Sequence, residues 1–325
     1  MRYRKVLLMS FLSLLLCAAA GMCFGSTRLD LWAVLTGNAD AAQKMILWQL
    51  RLPRVLAGLL AGIGLSAAGV LLQSVTANAL ASPNIIGINS GAGLSVILLL
   101  TVLPTAGAWT PIAAFCGAFA AALVILTVAG RLSGSKLAVL LVGIAVTAIL
   151  NAAISFLSLL DEGVLAQYNH FTVGSLKAVR LEELLLPAIL IGISFAAALL
   201  LSPKIGVLCL GDEAASALGI RVRALRLIAM ACAAMSAAAV VSFAGLLGFV
   251  GLIIPHISRR LVGENPRRML LSGALLGGCL VVLADLLGRV LLAPTEIPVG
   301  ILMSAIGAPY FLLLLLRRNV YDRIS

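Results

Sequence analysis

Residues 137–159 read LAVLLVGIAVTAILNAAISFLSL, a run in which no side chain carries a charge. The hydrocarbon core of a bilayer is about 30 Å thick, so a helix that crosses it needs roughly 20 consecutive apolar residues. The run therefore predicts a membrane-spanning helix. The whole chain of 325 residues has this character, because 62% of it is hydrophobic and only 11% is charged. Soluble domains are about one quarter charged, so the composition predicts an all-α polytopic membrane protein.

Breaks between apolar runs divide the chain into ten predicted helices. They lie near residues 6–24, 55–74, 86–103, 110–130, 137–159, 184–202, 225–243, 246–262, 269–291 and 299–316. Ten crossings put both termini on one side of the membrane, and most of the 23 Lys and Arg residues then fall on that side. Because such residues concentrate on the cytoplasmic side, we expect both termini in the cytoplasm. Their position beside apolar runs argues against a nucleic-acid partner, which would need a basic soluble surface.

Proline and glycine interrupt the apolar pattern at residues 82–87 and 295–300. Broken backbone inside a membrane is tolerated only against protein or a water-filled cavity, so paired breaks favour a central pathway. Two ordinary loop ends beside helix starts would give the same pattern. Glycines four residues apart, which predict closely packed helices, occur at Gly58, Gly62, Gly273 and Gly277.

The chain lacks the residues of most catalytic centres. No GxxxxGK[ST] phosphate loop occurs, so we expect no ATP hydrolysis by this chain. His170 and His256 lie far apart and the six cysteines show no CxxC spacing, so we expect no metal site and no cofactor. Asp285 is the clearest charged residue within a span. It precedes Arg289 by four residues, and we interpret the two as a structural ion pair.

Two other functional classes make different demands on the spans. An ion-coupled secondary carrier needs ionisable groups at membrane depth, and an intramembrane enzyme needs several convergent polar groups. Only Asp285 comes close to either requirement. The sparse charge therefore disfavours both classes, and the secondary carrier is the alternative that we keep.

Short motifs spread over nearly the whole chain resemble those of one family. They are RLPR at 51–54, NALASPNIIG at 78–87, NSGAG at 89–93, GDEAASALGI at 211–220, GLLGFVGLIIPHISR at 245–259, AD at 284–285, EIPVG at 296–300 and GAP at 307–309. With these motifs the chain resembles the FecCD family of ABC importer permeases for iron siderophores and vitamin B12. The resemblance implies a type II ABC importer permease fold with about ten transmembrane helices. It also implies a single transmembrane permease domain, residues 1–325, with a cytoplasmic coupling segment near 204–224.

The resemblance further implies the partners of a transport subunit that is not itself an enzyme. Two permease copies, identical or closely related, would form a dimer with the cargo path at their interface. Separate ABC ATPase subunits would hold ATP and Mg²⁺, and a periplasmic or lipid-anchored substrate-binding protein would deliver the cargo. The complex would lie in the cytoplasmic (inner) membrane of a bacterium or archaeon. A ferric siderophore is the expected cargo, with haem, cobalamin or another metal complex as alternatives.

The same resemblance assigns roles to three groups of residues. The segment that couples to the ATPase is matched by Gly211, Asp212, Glu213, Ala214, Ala215, Leu218 and Gly219. The arginines that would dock carboxylates of the binding protein are Arg51, Arg54 and Arg289. The cytoplasmic gate is matched by Ser133, Gly134 and Ser135.

The residues themselves leave simpler readings open for two of these groups. The coupling segment also has the composition of a solvated connecting helix. The arginines also suit the anchoring of helix ends at the membrane interface, although their fixed fork is well made for carboxylates. The chain departs from the family pattern at Ala79 and Ser82, where proline and an acidic residue are common.

Overall fold

The computed structural model describes residues 2–25, 40–132, 136–177 and 179–321, and the regular secondary structure within these ranges is helical. The α-helices in chain order are α1 (Arg2–Cys23), α2 (Ala41–Met45), α3 (Leu52–Thr76), α4 (Ile88–Val102), α5 (Thr110–Leu132), α6 (Lys136–Ser158), α7 (Glu162–Val173), α8 (Leu185–Leu208), α9 (Asp212–Ala217), α10 (Val222–Ala244), α11 (Val250–Val262), α12 (Pro266–Val290) and α13 (Val299–Tyr321). A π-helical segment, Ile46–Arg51, joins α2 to α3, and 3-10 turns lie at Pro83–Ile86, Gly107–Trp109 and Glu182–Leu184.

Seven of the helical stretches that the structure describes are long and apolar enough to cross a membrane. They are Tyr3–Cys23, Ala41–Thr76, Gly107–Leu132, Leu137–Ser158, Glu182–Leu208, Val222–Ala244 and Pro266–Val290. Helices α4, α11 and α13 complete the ten predicted helices, and each of these three follows an irregular segment. The prediction of an all-helical, polytopic fold with about ten helices is therefore confirmed.

Helix α3 lies at the centre of the bundle, where it packs against α8, α10, α11 and α12. Its residues Ala57, Ala61 and Ala68 are completely buried. At Gly62 the helix approaches α12 so closely that an added Cβ would collide with the backbone carbonyl of Gly277. Small residues allow such backbone contact between membrane helices. The close packing predicted from these glycines is confirmed at this crossing.

The first predicted break is the 3-10 turn Pro83–Ile86, which packs against the middle of α3. Pro83 lines one small cavity together with Leu65 of α3 and Gly251 of α11. Gly87 ends the turn with a φ of +70°, a conformation that glycine adopts without a steric penalty. The broken backbone therefore lies against protein inside the bundle, as a break at this depth requires.

The second predicted break, residues 295–300, overlaps the segment 291–298 that joins α12 to α13 and the first two residues of α13. The N–H of Ile297 donates to the carbonyl of Gly288 at 2.9 Å, which folds the segment back onto the end of α12. The N–H of Gly300 then donates to the carbonyl of Gly174 at 3.1 Å. This hydrogen bond ties the start of α13 to the segment that follows α7.

The apolar pattern did not predict α7, which lies between the fifth and sixth predicted helices. The helix has 12 residues, too few to cross a bilayer. Asp161 caps it by accepting hydrogen bonds from the N–H groups of Gly163 (2.7 Å) and Val164 (3.3 Å). An aspartate at this position is a sequence signal for a helix start, but a search for apolar runs does not use it.

Each end of α1 contacts an arginine from another part of the chain. At one end of α1, the guanidinium of Arg268 lies 5.2 Å from the centre of the Tyr3 ring. At the other end, Arg51 donates to the carbonyl of Cys23 at 2.6 Å. We name the end that holds Arg51 the arginine end, and the end that holds Tyr3, Arg268 and α9 the coupling end.

Candidate docking and coupling sites

The arginine end contains a network of four charged side chains. Arg54, at the start of α3, donates from Nε to both carboxylate oxygens of Asp285 on α12, at 2.9 and 3.0 Å. Its Nη1 donates to Oε2 of Glu296 at 2.9 Å. Oδ2 of Asp285 also lies 3.1 Å from Nε of Arg289, four residues further along α12. The predicted pairing of Asp285 with Arg289 is confirmed, and Arg54 extends it into a network.

Burial determines what this network does for the fold. Asp285 and Arg289 are each 3% exposed. The free energy needed to remove an ion from water is roughly several kcal/mol, and it is offset only when the charges pair with good geometry. Loss of one member would leave another charge buried without its partner. The network therefore fixes α3, α12 and the segment before α13 relative to one another.

Arg51 and Arg289 also donate hydrogen bonds to the end of α1. Arg51 donates from Nη1 to the carbonyls of Met22 and Cys23 at 2.7 and 2.6 Å, and Arg289 donates from Nη1 to the carbonyl of Gly21 at 3.1 Å. The last carbonyls of a helix lack partners within the helix, and a cation near them is favoured by the helix dipole. These capping contacts were not predicted, because the donors come from other helices.

The three predicted docking arginines line one cavity of about 250 Å³ at the arginine end. Lys177 and Glu296 line it as well, so basic side chains outnumber acidic ones around it. The arginines are buried, with 4% exposure for Arg51, 8% for Arg54 and 3% for Arg289. A carboxylate from outside would therefore meet them through this cavity and not on an open surface. Their role in docking stays a prediction.

Helix α9 presents the predicted coupling residues at the opposite end. Because α8 continues to Leu208, the connecting segment covers residues 209–221 and is shorter than the predicted 204–224. Of the coupling residues, the exposed ones are Asp212, Glu213, Ala214, Leu218 and Gly219. Gly211 is partly buried, with a φ of +122°, and Ala215 is completely buried. Ala215 thus attaches the helix to the bundle while its neighbours face outward.

A buried arginine connects α9 to two spans. Arg226, in the first turns of α10, is 4% exposed. Its Nη2 donates to both carboxylate oxygens of Asp212, each at 2.9 Å, and its Nε donates to the carbonyl of Val75 in the last turn of α3 at 3.1 Å. Sequence reasoning missed this contact. A pair 14 residues apart across a turn leaves no periodic signal in the sequence.

The comparison with known families bears directly on this arrangement. The sequence model of the FecCD transport family matches residues 11–317, nearly the whole chain. The chain belongs to the FecCD transport family. The family resemblance carried by its motifs is therefore confirmed.

Individual relatives of this FecCD protein are similar over most of its length. The Fe(3+)-citrate import system permease protein YfmE of Bacillus subtilis is 39% identical over 286 residues, which cover 87% of this chain and 86% of the relative. The hemin transport system permease protein HmuU of Yersinia pestis is 34% identical over 326 residues and 98% of each chain. A solved structure of a metal-chelate type ABC transporter in an inward-facing conformation matches with a TM-score of 0.86 and 30% identity, covering 97% of this chain and 99% of that chain. The fold implied by the motifs is confirmed.

Two other predictions for this FecCD protein concern the turns between its helices. The predicted gate residues Ser133, Gly134 and Ser135 lie outside the described residues. The departures from the family pattern lie in the turn after α3, where Ala79 lines a cavity of about 290 Å³ at the coupling end and Ser82 lines the small cavity beside Pro83.

Metal-binding side chains are scattered in this FecCD protein. Within residues 2–25, 40–132, 136–177 and 179–321, no three His, Cys, Asp or Glu side chains come together in a way that could hold a metal ion. His256 lies on α11 with its Nε2 buried and, among the described atoms, without a hydrogen-bond partner. The carboxylates of Asp285 and Glu296 are both occupied by Arg54.

Proposed function

We propose that this chain is the membrane-spanning permease of an ATP-driven importer. The observation that carries the proposal is the FecCD match over residues 11–317, whose relatives include permeases of import systems. The bundle of apolar helices supplies the path through the membrane. The sequence has no phosphate loop, so in this proposal a separate ABC ATPase binds ATP and Mg²⁺ and supplies the energy.

The exposed side of α9 is the proposed contact with the ATPase. Leu210 and Leu218 flank the helix and are 74% and 68% exposed. Large apolar side chains that project at an aqueous end of a membrane protein are typical of a surface for a partner protein. Glu213 and Ala214 lie between them and are exposed as well. A short helix with these neighbours suits a cleft in an ATPase subunit.

The cavity at the arginine end is the proposed point of contact with the substrate-binding protein. Arg51, Arg54, Arg289 and Lys177 surround it, and among the described residues that line it only Glu296 is acidic. Carboxylates of an incoming protein would be attracted by this excess of positive charge and could be held bidentately by an arginine fork. This placement puts the arginine end outside the cell and both termini in the cytoplasm.

The proposed cargo is an iron chelate, with a ferric siderophore as the first candidate. YfmE is named for Fe(3+)-citrate and HmuU for hemin, and both resemble this chain over most of its length. Haem and cobalamin are the alternative cargoes. The scarcity of charged and chelating side chains within the described spans suits a path that holds its cargo weakly and lets it pass.

A second permease copy, identical or closely related, completes the proposed path. Helices α6 and α13 leave many apolar side chains exposed, which lipid or a second copy would cover. In this arrangement Ser133, Gly134 and Ser135 form the narrow gate on the cytoplasmic side. The site of action is the cytoplasmic (inner) membrane of a bacterium or archaeon.

An ion-coupled carrier remains the rival function. Its strongest candidate group is Asp285, the carboxylate buried within α12. Two arginines already pair with that carboxylate, so releasing it for a proton cycle would leave Arg289 without its carboxylate and Arg54 with Glu296 alone. The geometry therefore favours a structural role for Asp285.

Reconstitution in liposomes tests the proposal. The chain would be purified with its cognate ATPase and binding protein, and uptake would be followed with ferric siderophores, haem and cobalamin in parallel. The expected result is uptake that requires both partners and ATP and that selects one class of cargo. Glu213→Arg, which reverses an exposed charge on α9, should abolish uptake without unfolding the protein.

The rival function makes the opposite prediction for the same assay. Uptake that this chain supports alone, without ATP and with a dependence on a proton or sodium gradient, would contradict the importer. Asp285→Asn would then be the informative variant, because a carrier would lose its ion coupling.

A further inference from the structure

Helix α3 reaches both proposed partner sites. Near its first turn, Arg54 belongs to the charged network at the arginine end. In its last turn, the carbonyl of Val75 accepts a hydrogen bond from Arg226 at the coupling end. The helix is 25 residues long and deeply buried between α8, α10, α11 and α12. A displacement of one end of such a packed helix is transmitted to the other.

The position of Arg226 connects this helix to α9. Its guanidinium is planar and carries several N–H donors in fixed directions, and here Nε donates to Val75 and Nη2 donates to Asp212. The carbonyl of Val75 lies at a helix C-terminus, where Ala77 turns into the left-handed region and ends α3. Arg226 therefore caps the C-terminus of α3 and at the same time donates hydrogen bonds to Asp212, the first residue of α9.

Helix α9 itself is small. It has six residues, and Ala215 is its one buried member. The thiol of Cys209 adds a long contact to the carbonyl of Ser74 at 3.9 Å. Against this limited packing, the two hydrogen bonds between Asp212 and Arg226 are a directional contact between α9 and the bundle.

We propose that Arg226 is a positioning residue that transmits movement of α9 to the C-terminal end of α3 through Asp212 and Val75. This inference rests on the proposed function, in which an ATPase moves α9. When α9 shifts, Asp212 displaces the guanidinium, and the guanidinium displaces the end of α3. Lysine could not replace it, because a single ammonium lacks the fork that reaches both partners.

The test separates coupling from folding by changing the half-exposed partner. Asp212→Ala removes the hydrogen bonds between Arg226 and α9 but leaves the hydrogen bond from Arg226 to Val75, so the fold should persist. In liposomes with the cognate ATPase and binding protein, we expect normal assembly and ATP hydrolysis with a fall of about fivefold or more in cargo moved per ATP, the size of a typical coupling between two sites. Asp212→Glu should restore most of the ratio, because it keeps the carboxylate.

Two further variants complete the design. Glu264→Ala removes an exposed acidic side chain at the same end and should leave the ratio of cargo to ATP unchanged. Arg226→Lys keeps the charge and should lower the ratio as Asp212→Ala does. If the two residues act through each other, the double variant should be no worse than either single variant.

Specific outcomes would overturn the inference. They are a wild-type ratio of cargo to ATP in Asp212→Ala, or a loss of ATPase binding in that variant, which would make Asp212 a docking residue. Strictly additive losses in the double variant would also contradict it. ATP-independent uptake by the unaltered protein is a different result, because it would remove the proposed function itself.

Discussion

The arginine end and the coupling end hold buried arginines in different ways. At the arginine end, Arg54 belongs to a network of four charged side chains in which Asp285 and Arg289 are almost completely buried. At the coupling end, Arg226 pairs with Asp212, whose side chain is 50% exposed, and with one backbone carbonyl. Both partners of the Asp285–Arg289 pair are buried, whereas the carboxylate that pairs with Arg226 is half in water.

The difference indicates how each end contributes to transport. Breaking a buried pair by removing one partner costs about 3–5 kcal/mol, so the arginine end holds its helices in a fixed arrangement. At the coupling end, loss of the carboxylate leaves Arg226 buried but still bonded to the carbonyl of Val75, and Asp212 is half in water, so the pair should stabilise the fold by only about 1 kcal/mol. The coupling end can therefore lose its ion pair without unfolding, which suits a contact that transmits movement.

Removal of Asp285 is expected to have the largest effect on stability. Asp285→Ala leaves Arg54 and Arg289 buried without their shared carboxylate, so we expect a loss of about 3–5 kcal/mol. Thermal unfolding in detergent would measure it. Asp161→Ala is the matched control, because it removes the exposed cap of α7 and should cost only about 1 kcal/mol. Equal stability of the two variants would show that the buried network does not stabilise the fold more than an exposed helix cap does.

The crossing of α3 and α12 joins the two ends and should be the next most sensitive position. In Gly62→Ala the new methyl group would collide with the carbonyl of Gly277, so we expect a loss of about 1–3 kcal/mol from overpacking. Gly192→Ala on α8 meets nothing within 4 Å and should be neutral or slightly stabilising. Unfolding midpoints of both variants, measured side by side, would check this, and similar midpoints would argue against the close crossing.

Glu296 should matter less for stability and more for the binding protein. Glu296→Gln keeps a hydrogen-bond acceptor for Arg54 but removes a negative charge from the cavity, so a stability loss of about 1 kcal/mol is expected. The added positive charge should speed association of the binding protein at low ionic strength, and the gain should fade as salt is added. Glu182→Gln changes the same charge at an exposed site at this end and should have a weaker effect on the association rate. An equal effect of both variants would place docking outside the cavity.

The ion pair at the coupling end should show the smallest effect on stability. Asp212→Asn is expected to cost about 1 kcal/mol in thermal unfolding, because asparagine keeps an oxygen acceptor for Arg226, which also keeps the carbonyl of Val75. A loss as large as that of Asp285→Ala would remove the distinction between the two ends. Glu264→Gln, another exposed acid at this end, is the reference for a change without a partner.

Most of the fold could be predicted from the sequence, because the bilayer demands long apolar runs and such runs are easy to recognise. The ten predicted helices are present, and both predicted breaks lie where proline and glycine indicated. Helix α7 was missed because it is short and its signal is a cap, Asp161, that an apolar pattern does not contain. Helix α8 ends later than predicted, because it continues through Pro203 to Leu208 and the apolar pattern ended it near residue 202.

The sites were less predictable, because they join residues that are distant in the sequence. The pairing of Asp285 with Arg289 followed from helix geometry, as residues four apart share a face. The contact of Arg54 with Asp285 spans 231 positions and depends on how α3 and α12 pack. Motifs drew attention to Arg54 and to Asp212. No motif could show that Arg54 pairs with Asp285 or that Asp212 pairs with Arg226.

If α3 couples the two ends, nucleotide binding by the ATPase at the coupling end should change how the arginine end binds its partner. The affinity of the binding protein for the assembled complex would be measured with and without a non-hydrolysable ATP analogue, in the unaltered protein and in Asp212→Ala. Coupled sites must change each other's affinity, so the account predicts that the analogue changes the affinity in the unaltered protein. It predicts that this change is largely lost in Asp212→Ala while both partners still bind. A nucleotide effect of the same size in both proteins would contradict the account.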